Sequence, residues 1–209
     1  MTRVFLVRHG ETEWNRTKRA QGHADIAMNT DGHRQAAHAA ASLAHLEVAA
    51  VYSSDLGRAV DTARPIAEAH GLEVEIEPDL REIDQGEWEG LTVEEIRERW
   101  PELWGPARHY SARPGGESPQ QVRARATRAL ARIVEGHGDQ AVVLVSHGGT
   151  IRWITAEALG YDDRRSARIR GLGNGGIVQL DVFVENDGLA YANLRRLDGN
   201  RPDLDDPND

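Results

Sequence analysis

The sequence predicts an α/β fold: a three-layer α/β/α arrangement around a mostly parallel central sheet, with a late hairpin adding an antiparallel strand. Three observations predict it. Short apolar runs alternate with helical patterns along most of the chain, as in layered α/β proteins. The run AVVLV at 141–145 is continuously apolar, as in a strand covered on both faces. Near the end, GIVQLDVF and LAYANL flank the turn ENDG, a hairpin pattern.

The elements follow in order. TRVFLVRHG reads as a short buried strand running into a glycine loop. The alanine-rich stretch from Asp31 to Leu46 reads as a helix with Thr30 as its N-cap. Val48 to Tyr52 reads as a second strand, Asp55 to Ala69 as a helix stopped by Gly71, and Leu72 to Ile76 as a third strand. Residues 77–117 are loop-rich and hold one short helix, Val93 to Trp100. Thr92 and Glu95 give it a capping box and Pro101 ends it. The segment PELWGPARHYSARPGGE reads as an excursion over one end of the sheet, and Trp100 and Trp104, four apart, are expected to pack together.

Ser118, Pro119 and Gln121 form an N-cap, a first-turn proline and a capping-box partner for a helix reaching Val134. Val122, Ala126, Leu130 and Ile133 share its apolar face. Arg123, Arg125, Arg128 and Arg132 lie mostly off that face and read as a solvated surface rather than a nucleic-acid site. The apolar run at 141–145 leads through SHGGT into a helix ending near Leu159.

Composition narrows the function. The 209 residues of 23.1 kDa carry a net charge of -9, and no basic stripe suggests nucleic acid. The chain reads as one domain, 1–197, followed by an acidic tail, 198–209, with five Asp and one Arg. The absence of cysteine excludes thiol nucleophiles, iron–sulfur clusters and thiolate zinc sites. Of the 25 Lys and Arg residues, Lys18 is the only lysine and follows no glycine-rich loop, so there is no P-loop. No signal peptide or membrane span is legible, which makes the cytoplasm the expected address. Spacings of the H-x-x-x-H or HExxH kind are absent, so no metal and no cofactor are called for.

Ligands of open α/β sheets bind beyond the carboxyl ends of the strands. Four polar clusters stand at such places: Arg8-His9-Gly10; Ser53-Ser54-Asp55 with Arg58; Arg81-Glu82; and Ser146-His147-Gly148-Gly149. Arginine forks suit phosphoryl oxygens, and a helix N-terminus adds N–H donors. An imidazole can attack phosphorus, and a carboxylic acid can protonate a leaving alkoxide. The combination fits metal-free phosphoryl transfer. Taken singly, each residue has a plainer reading: His9 a strand-end histidine, His147 a helix cap, the arginines surface ion pairs, Glu82 a partner of Arg81. Asp84 and Glu87 stand close enough to Glu82 to be mistaken for it.

VRHGETEWN at 7–15 resembles the Arg-His-Gly signature of the histidine phosphatase superfamily, which includes the cofactor-dependent phosphoglycerate mutases. SSDLGRAVDTA (53–63), LREIDQGEWEGL (80–91), PGGES (114–118) and VSHGG (145–149) follow in the order that family shows. The resemblance implies catalytic roles for five residues. His9 is the nucleophile, Arg8 and Arg58 clamp the phosphoryl oxygens, and His147 stabilises the transition state. Glu82 is the general acid, then the base that activates water. Asn15, Gln21 and the Gly148 backbone are implied phosphate-binding groups, and a small phosphoester is the implied partner. His23, His109 and Tyr110 are further candidates for substrate contact. The resemblance also admits a homodimer.

Mutases of this family usually read Glu-Arg-His-Tyr-Gly around the general acid. Here Glu82-Ile83-Asp84-Gln85-Gly86 departs from that pattern, which favours the phosphatase branch. Within it, LREIDQGEWEGL, PGGES and GLGNGGIVQL are similar to glucosyl-3-phosphoglycerate phosphatases and broad-specificity acid phosphatases. A sugar phosphate or phosphoglycerate derivative is the expected substrate. The alternatives are a phosphoglycerate mutase and a non-catalytic binding domain of the same fold; all five charged or imidazole residues being present argues against the latter.

Overall fold

The computed structural model describes residues 1–104, 111–186 and 188–197. His109, Tyr110 and the acidic tail lie outside the described residues. Six strands form one sheet in the order β3-β2-β4-β1-β5-β6. They are β1 (Thr2–Arg8), β2 (Ala50–Ser53), β3 (Val74–Ile76), β4 (Ala141–Ser146), β5 (Ile177–Glu185) and β6 (Gly188–Arg196). The first four pair in parallel. The late hairpin joins antiparallel through β5 against β1, with β6 outside it.

Among the described residues, seven α-helices accompany the sheet: α1 (Glu13–Arg16), α2 (Thr30–Leu43), α3 (Gly57–Ala69), α4 (Val93–Arg99), α5 (Pro119–His137), α6 (Gly148–Ala158) and α7 (Asp163–Ser166). The two-residue period of the strands sorts them into layers. Val4, Leu6, Val142 and Leu144 pack with Ala126, Leu130 and Ile133 of α5 and Ile151 and Ile154 of α6. The alternate residues Phe5, Val7, Val143 and Val145 pack with Ala39 and Leu43 of α2 and Ala63 and Ile66 of α3. Residues 142–145 are fully buried, as a strand covered on both faces requires.

The short α1 and α7 escape the periodicity argument, because four residues are too few to show a helical period. Thr12 and Asn15 nevertheless form a capping box around α1. Helix α2 is capped by Asn29, not Thr30: the Asn29 side chain accepts the Gly32 N–H at 2.9 Å, and Thr30 is already helical. The boxes of α4 and α5 form as the sequence predicts. After α3, Gly71 adopts φ +67°, the left-handed conformation that glycine takes without a side-chain clash. Trp100 and Trp104 converge on Trp88, with ring centroids 6.4 and 6.0 Å from it. Trp88 is buried.

One reading of α5 is corrected. Arg125 is not on a solvated face; it is 9% exposed. It stands three residues after Val122 and four before Ala129, so it shares their buried side. Its guanidinium donates to Glu117 at 2.9 and 2.8 Å and to the carbonyls of Asp79, Arg81 and Glu82 at 2.7, 2.8 and 2.9 Å. A buried cation requires such satisfaction of its donors.

Candidate active site

The parallel pairing of β1 with β4 sets Arg8 opposite Ser146. The residues that follow each strand, His9 and His147, therefore lie side by side, with ring centroids 5.0 Å apart. Both are buried, at 3% and 0% exposure. Burial holds the His9 imidazole well below its usual range; the positive charges of Arg8 and Arg58 push the same way, against a bond to the Gly10 carbonyl. Burial and then Arg58 do the same to His147. Both rings are thus neutral near pH 7.

The hydrogen bonds assign their tautomers. His9 Nδ1 lies 2.7 Å from the Gly10 carbonyl oxygen. A carbonyl only accepts, so Nδ1 carries the proton and Nε2 carries the free lone pair. His147 Nε2 lies 2.7 Å from Ser54 Oγ, which itself accepts from Leu56 N–H at 3.4 Å. Ser54 Oγ can both donate and accept; where it donates to Nε2, His147 Nδ1–H is left as a donor. That Nδ1 is buried and has no acceptor among the described residues.

The arginines are anchored by carbonyls. Arg58, fully buried, donates from Nη1 to Ala24 O at 2.7 Å and from Nη2 to Gly22 O at 2.8 Å. Arg8 donates from Nη1 to Leu172 O at 2.6 Å. In both, Nε is buried without an acceptor among the described residues. Burial lowers the pKa of each, against the attraction of Glu82. Neither is a surface ion pair.

Glu82 sits across the first turn of α6. Its Oε2 accepts Gly149 N–H at 3.0 Å and its Oε1 accepts Ile83 N–H at 2.9 Å. Arg81 pairs with Asp55 instead of Glu82, and Asp84 caps Gly86 N–H, so Glu82 is the carboxylate at this place. Gly149 leaves the space that the carboxylate fills: a Cβ there would collide with Glu82 Oε1, and one on Gly148 would stand 3.2 Å from Arg8 Nε. The carbonyl of Glu82 accepts from Arg125 and from His23 Nε2 at 3.0 Å, so His23 holds the backbone of this loop. Thr150 Oγ1 and Ser146 Oγ bind the Arg81 and Leu80 carbonyls at 2.6 and 2.7 Å.

Asn15 follows from the capping box of α1. Its Oδ1 accepts from Thr12 N–H and from Asn174 Nδ2, both at 3.1 Å, which turns its Nδ2 the other way. Asn174 also donates to the His9 carbonyl at 3.0 Å. Gln21 is buried, one residue before the Gly22 carbonyl that holds Arg58, and its Oε1 has no donor among the described residues. Of the eight expected residues, Arg8, Glu82 and Gly148 line a cleft of about 310 Å³, and Asn15 lines a second cavity that shares Gln85, Arg113 and Arg152 with it.

Sequence reasoning left other residues of this neighbourhood without a role. Ser54 stood in a polar cluster, yet nothing in sequence links it to His147, 93 residues away. Arg125 and Glu117 were missed, although the position of Arg125 three residues after Val122 was a usable signal. Asn174 lies in GLGNGG, whose glycines permit close backbone approach. Arg113 and Arg152 line the cleft as well.

A buried lone pair on His9 Nε2, flanked by guanidinium and imidazole N–H donors and a carboxyl group on a helix N-terminus, can accept a phosphoryl group. The model of the histidine phosphatase superfamily (branch 1) matches residues 4–193. A probable phosphoglycerate mutase of Enterobacter sp. (strain 638) is 34% identical over 99% of this chain and 97% of its own length. Phosphoserine phosphatase 1 of Hydrogenobacter thermophilus is 39% identical over 78% of each chain. Among solved structures, a mycobacterial glucosyl-3-phosphoglycerate phosphatase in complex with VO3 superposes with TM-score 0.84 at 33% identity, covering 92% of this chain and 96% of the other. The chain belongs to the histidine phosphatase superfamily, branch 1.

Proposed function

We propose that this protein is a phosphomonoesterase that hydrolyses a small phosphoester, a sugar phosphate or phosphoglycerate derivative, through a phosphohistidine on His9. One observation carries the reading. Arg8 Nε and Arg58 Nε are buried donors, and His147 Nδ1 a buried ring nitrogen, each without a protein partner among the described residues and beside the neutral His9. Buried donors are almost always satisfied, and the oxygens of a phosphoryl group satisfy these three together.

The geometry supports the following steps. Arg8, Arg58, His147 Nδ1–H, Asn15 Nδ2 and the Gly148 N–H hold the phosphoryl oxygens. His9 Nε2 attacks phosphorus, the P–O bond to the leaving group breaks, and Glu82 gives its proton to the departing alkoxide. Glu82, now a carboxylate, takes a proton from water. The water oxygen attacks phosphorus, the P–N bond breaks, and inorganic phosphate leaves. The donors give most of the acceleration, because their alignment precedes the reaction. A positioned acid adds about 10²–10⁴-fold.

The expected result is phosphate release from a panel of phosphomonoesters in the presence of EDTA, lost in His9→Ala. Turnover that survives His9→Ala, or that EDTA abolishes, overturns the mechanism. The 34% identity to a probable phosphoglycerate mutase over nearly the whole chain supports a second reading. In it the phosphohistidine returns its group to a bound phosphoglycerate. Interconversion of 2- and 3-phosphoglycerate without phosphate release would select it; the 82–86 sequence argues for hydrolysis.

A further inference from the structure

Three parallel strands end level in the sheet. Ser53 of β2 is level with Val145 of β4, and Arg8 of β1 with Ser146 of β4. Ser54, His147 and His9 thus follow adjacent strand ends, with His147 on the middle strand. Both backbone groups of Ser54 are engaged. Its N–H donates to the Val145 carbonyl at 3.1 Å, and its carbonyl accepts the Ser53 hydroxyl at 2.8 Å. Ser54 and His147 are fully buried, so the 2.7 Å contact of Oγ with Nε2 is shielded from solvent. Two observations decide which partner donates in it. Ser54 Oγ already accepts from Leu56 N–H; if it accepted from Nε2–H as well, its own proton would have no acceptor among the described residues. His147 Nδ1 would then be a bare lone pair, buried without a partner beside Arg58, and it would repel the oxygens of a phosphoryl group. Donation by the serine removes both defects. Burial and the positive charges of Arg58, His9, Arg125 and Arg8 keep a second proton off the ring.

We propose that Ser54 is a positioning residue for His147: its hydroxyl donates to Nε2 and so keeps the ring proton on Nδ1, from which the ring gives a hydrogen bond to a phosphoryl oxygen. The inference rests on the phosphomonoesterase reading and adds a residue to its machinery. A hydrogen bond received at Nε2 also polarises the ring and strengthens Nδ1–H as a donor. Ser54 acts through the ring, not on the substrate.

Long-range proton–nitrogen NMR spectra of the imidazole rings test this directly, with the His147 signals assigned by their loss in His147→Ala. The wild type is expected to show Nδ1 protonated and Nε2 bare, and Ser54→Ala a mixture of both tautomers. Steady-state kinetics measure the consequence. Removing one preorganised donor costs about 10²–10³-fold in kcat, so His147→Ala is expected to lose about that much and Ser54→Ala about tenfold or more. The double variant is expected to match His147→Ala, because a residue that acts only through the ring then has nothing to act on. A proton on Nε2 in the wild type, an unchanged tautomer in Ser54→Ala, or losses that multiply in the double variant overturn the inference. The wild-type spectrum decides even where Ser54→Ala does not fold. Because the spectra need no turnover, the two readings fail separately. A Ser54-dependent Nδ1–H in a protein that releases no phosphate sustains the role of Ser54 and sinks the phosphomonoesterase. Phosphate release lost in His9→Ala, with the His147 proton on Nε2, does the reverse.

Discussion

Replacing Arg125 by Met tests whether the loop carrying Glu82 is held from α5. Methionine keeps the apolar stem and removes the guanidinium. Three carbonyls, those of Asp79, Arg81 and Glu82, then lose a donor, and the Glu117 carboxylate loses both its bonds to Arg125. Removing one partner of a buried pair costs about 3–5 kcal/mol. The side chains here are 11% and 22% exposed, so solvent relieves part of that cost. The expected loss is about 3 kcal/mol, a fall in Tm on the order of 10 °C for a chain of this size. Glu117→Gln should lose less, and the double variant less than the sum, because the pair is coupled. Activity should fall as well, because a displacement of about 1 Å in a catalytic group can cost on the order of 10²-fold. The defect should be greatest with alkyl esters, whose leaving groups need the proton of Glu82, and small with p-nitrophenyl phosphate, whose leaving group does not. Urea denaturation and steady-state kinetics on both ester types give the answer. A loss under about 1 kcal/mol with kcat unchanged would mean that Ser146, Thr150 and His23 suffice. A rate loss equal for both ester types would mean that Arg125 does not act through Glu82.

Two further predictions concern the same residues. Gly149→Ala places a methyl group where Glu82 Oε1 lies, in a helical turn that otherwise accepts alanine. It should fold, and lose kcat on alkyl esters to within about tenfold of Glu82→Gln; a fully active, folded variant would contradict the placement of the acid. The buried neutral histidines predict a pH dependence of stability. Unfolded, each takes a proton near 6.5, whereas folded His9 and His147 resist it to well below that value. The unfolded state then binds more protons, so stability falls as pH drops from about 6.5, by up to about 1.4 kcal/mol per pH unit for each ring. Glu117 acts at lower pH: burial pushes its pKa up, but the Arg125 and Asp84 N–H bonds outweigh it and bring it below 4.5. Its contribution is lost as pH falls from there. Urea midpoints between pH 7.5 and 3 check both, and an unaltered midpoint between pH 6.5 and 5 would mean that the rings are charged in the fold.

The sequence by itself determined the layers and the chemistry. The unbroken apolar runs at 4–7 and 142–145 dictate a strand pair buried on both faces, because a two-residue period sends side chains to both sides. Histidine, arginine and glutamate at strand ends fit phosphoryl chemistry, and the resemblance to the family is what singled it out. Only the tertiary structure decided how the groups are tuned. The proton on His9 Nδ1 depends on the Gly10 carbonyl, and that on His147 depends on Ser54, brought to it from another strand. The burial of Arg125 and the hold of His23 on the Glu82 carbonyl are contacts across dozens of residues. They are set by how helices and loops settle on the sheet, and a pattern of local periods does not encode those distances.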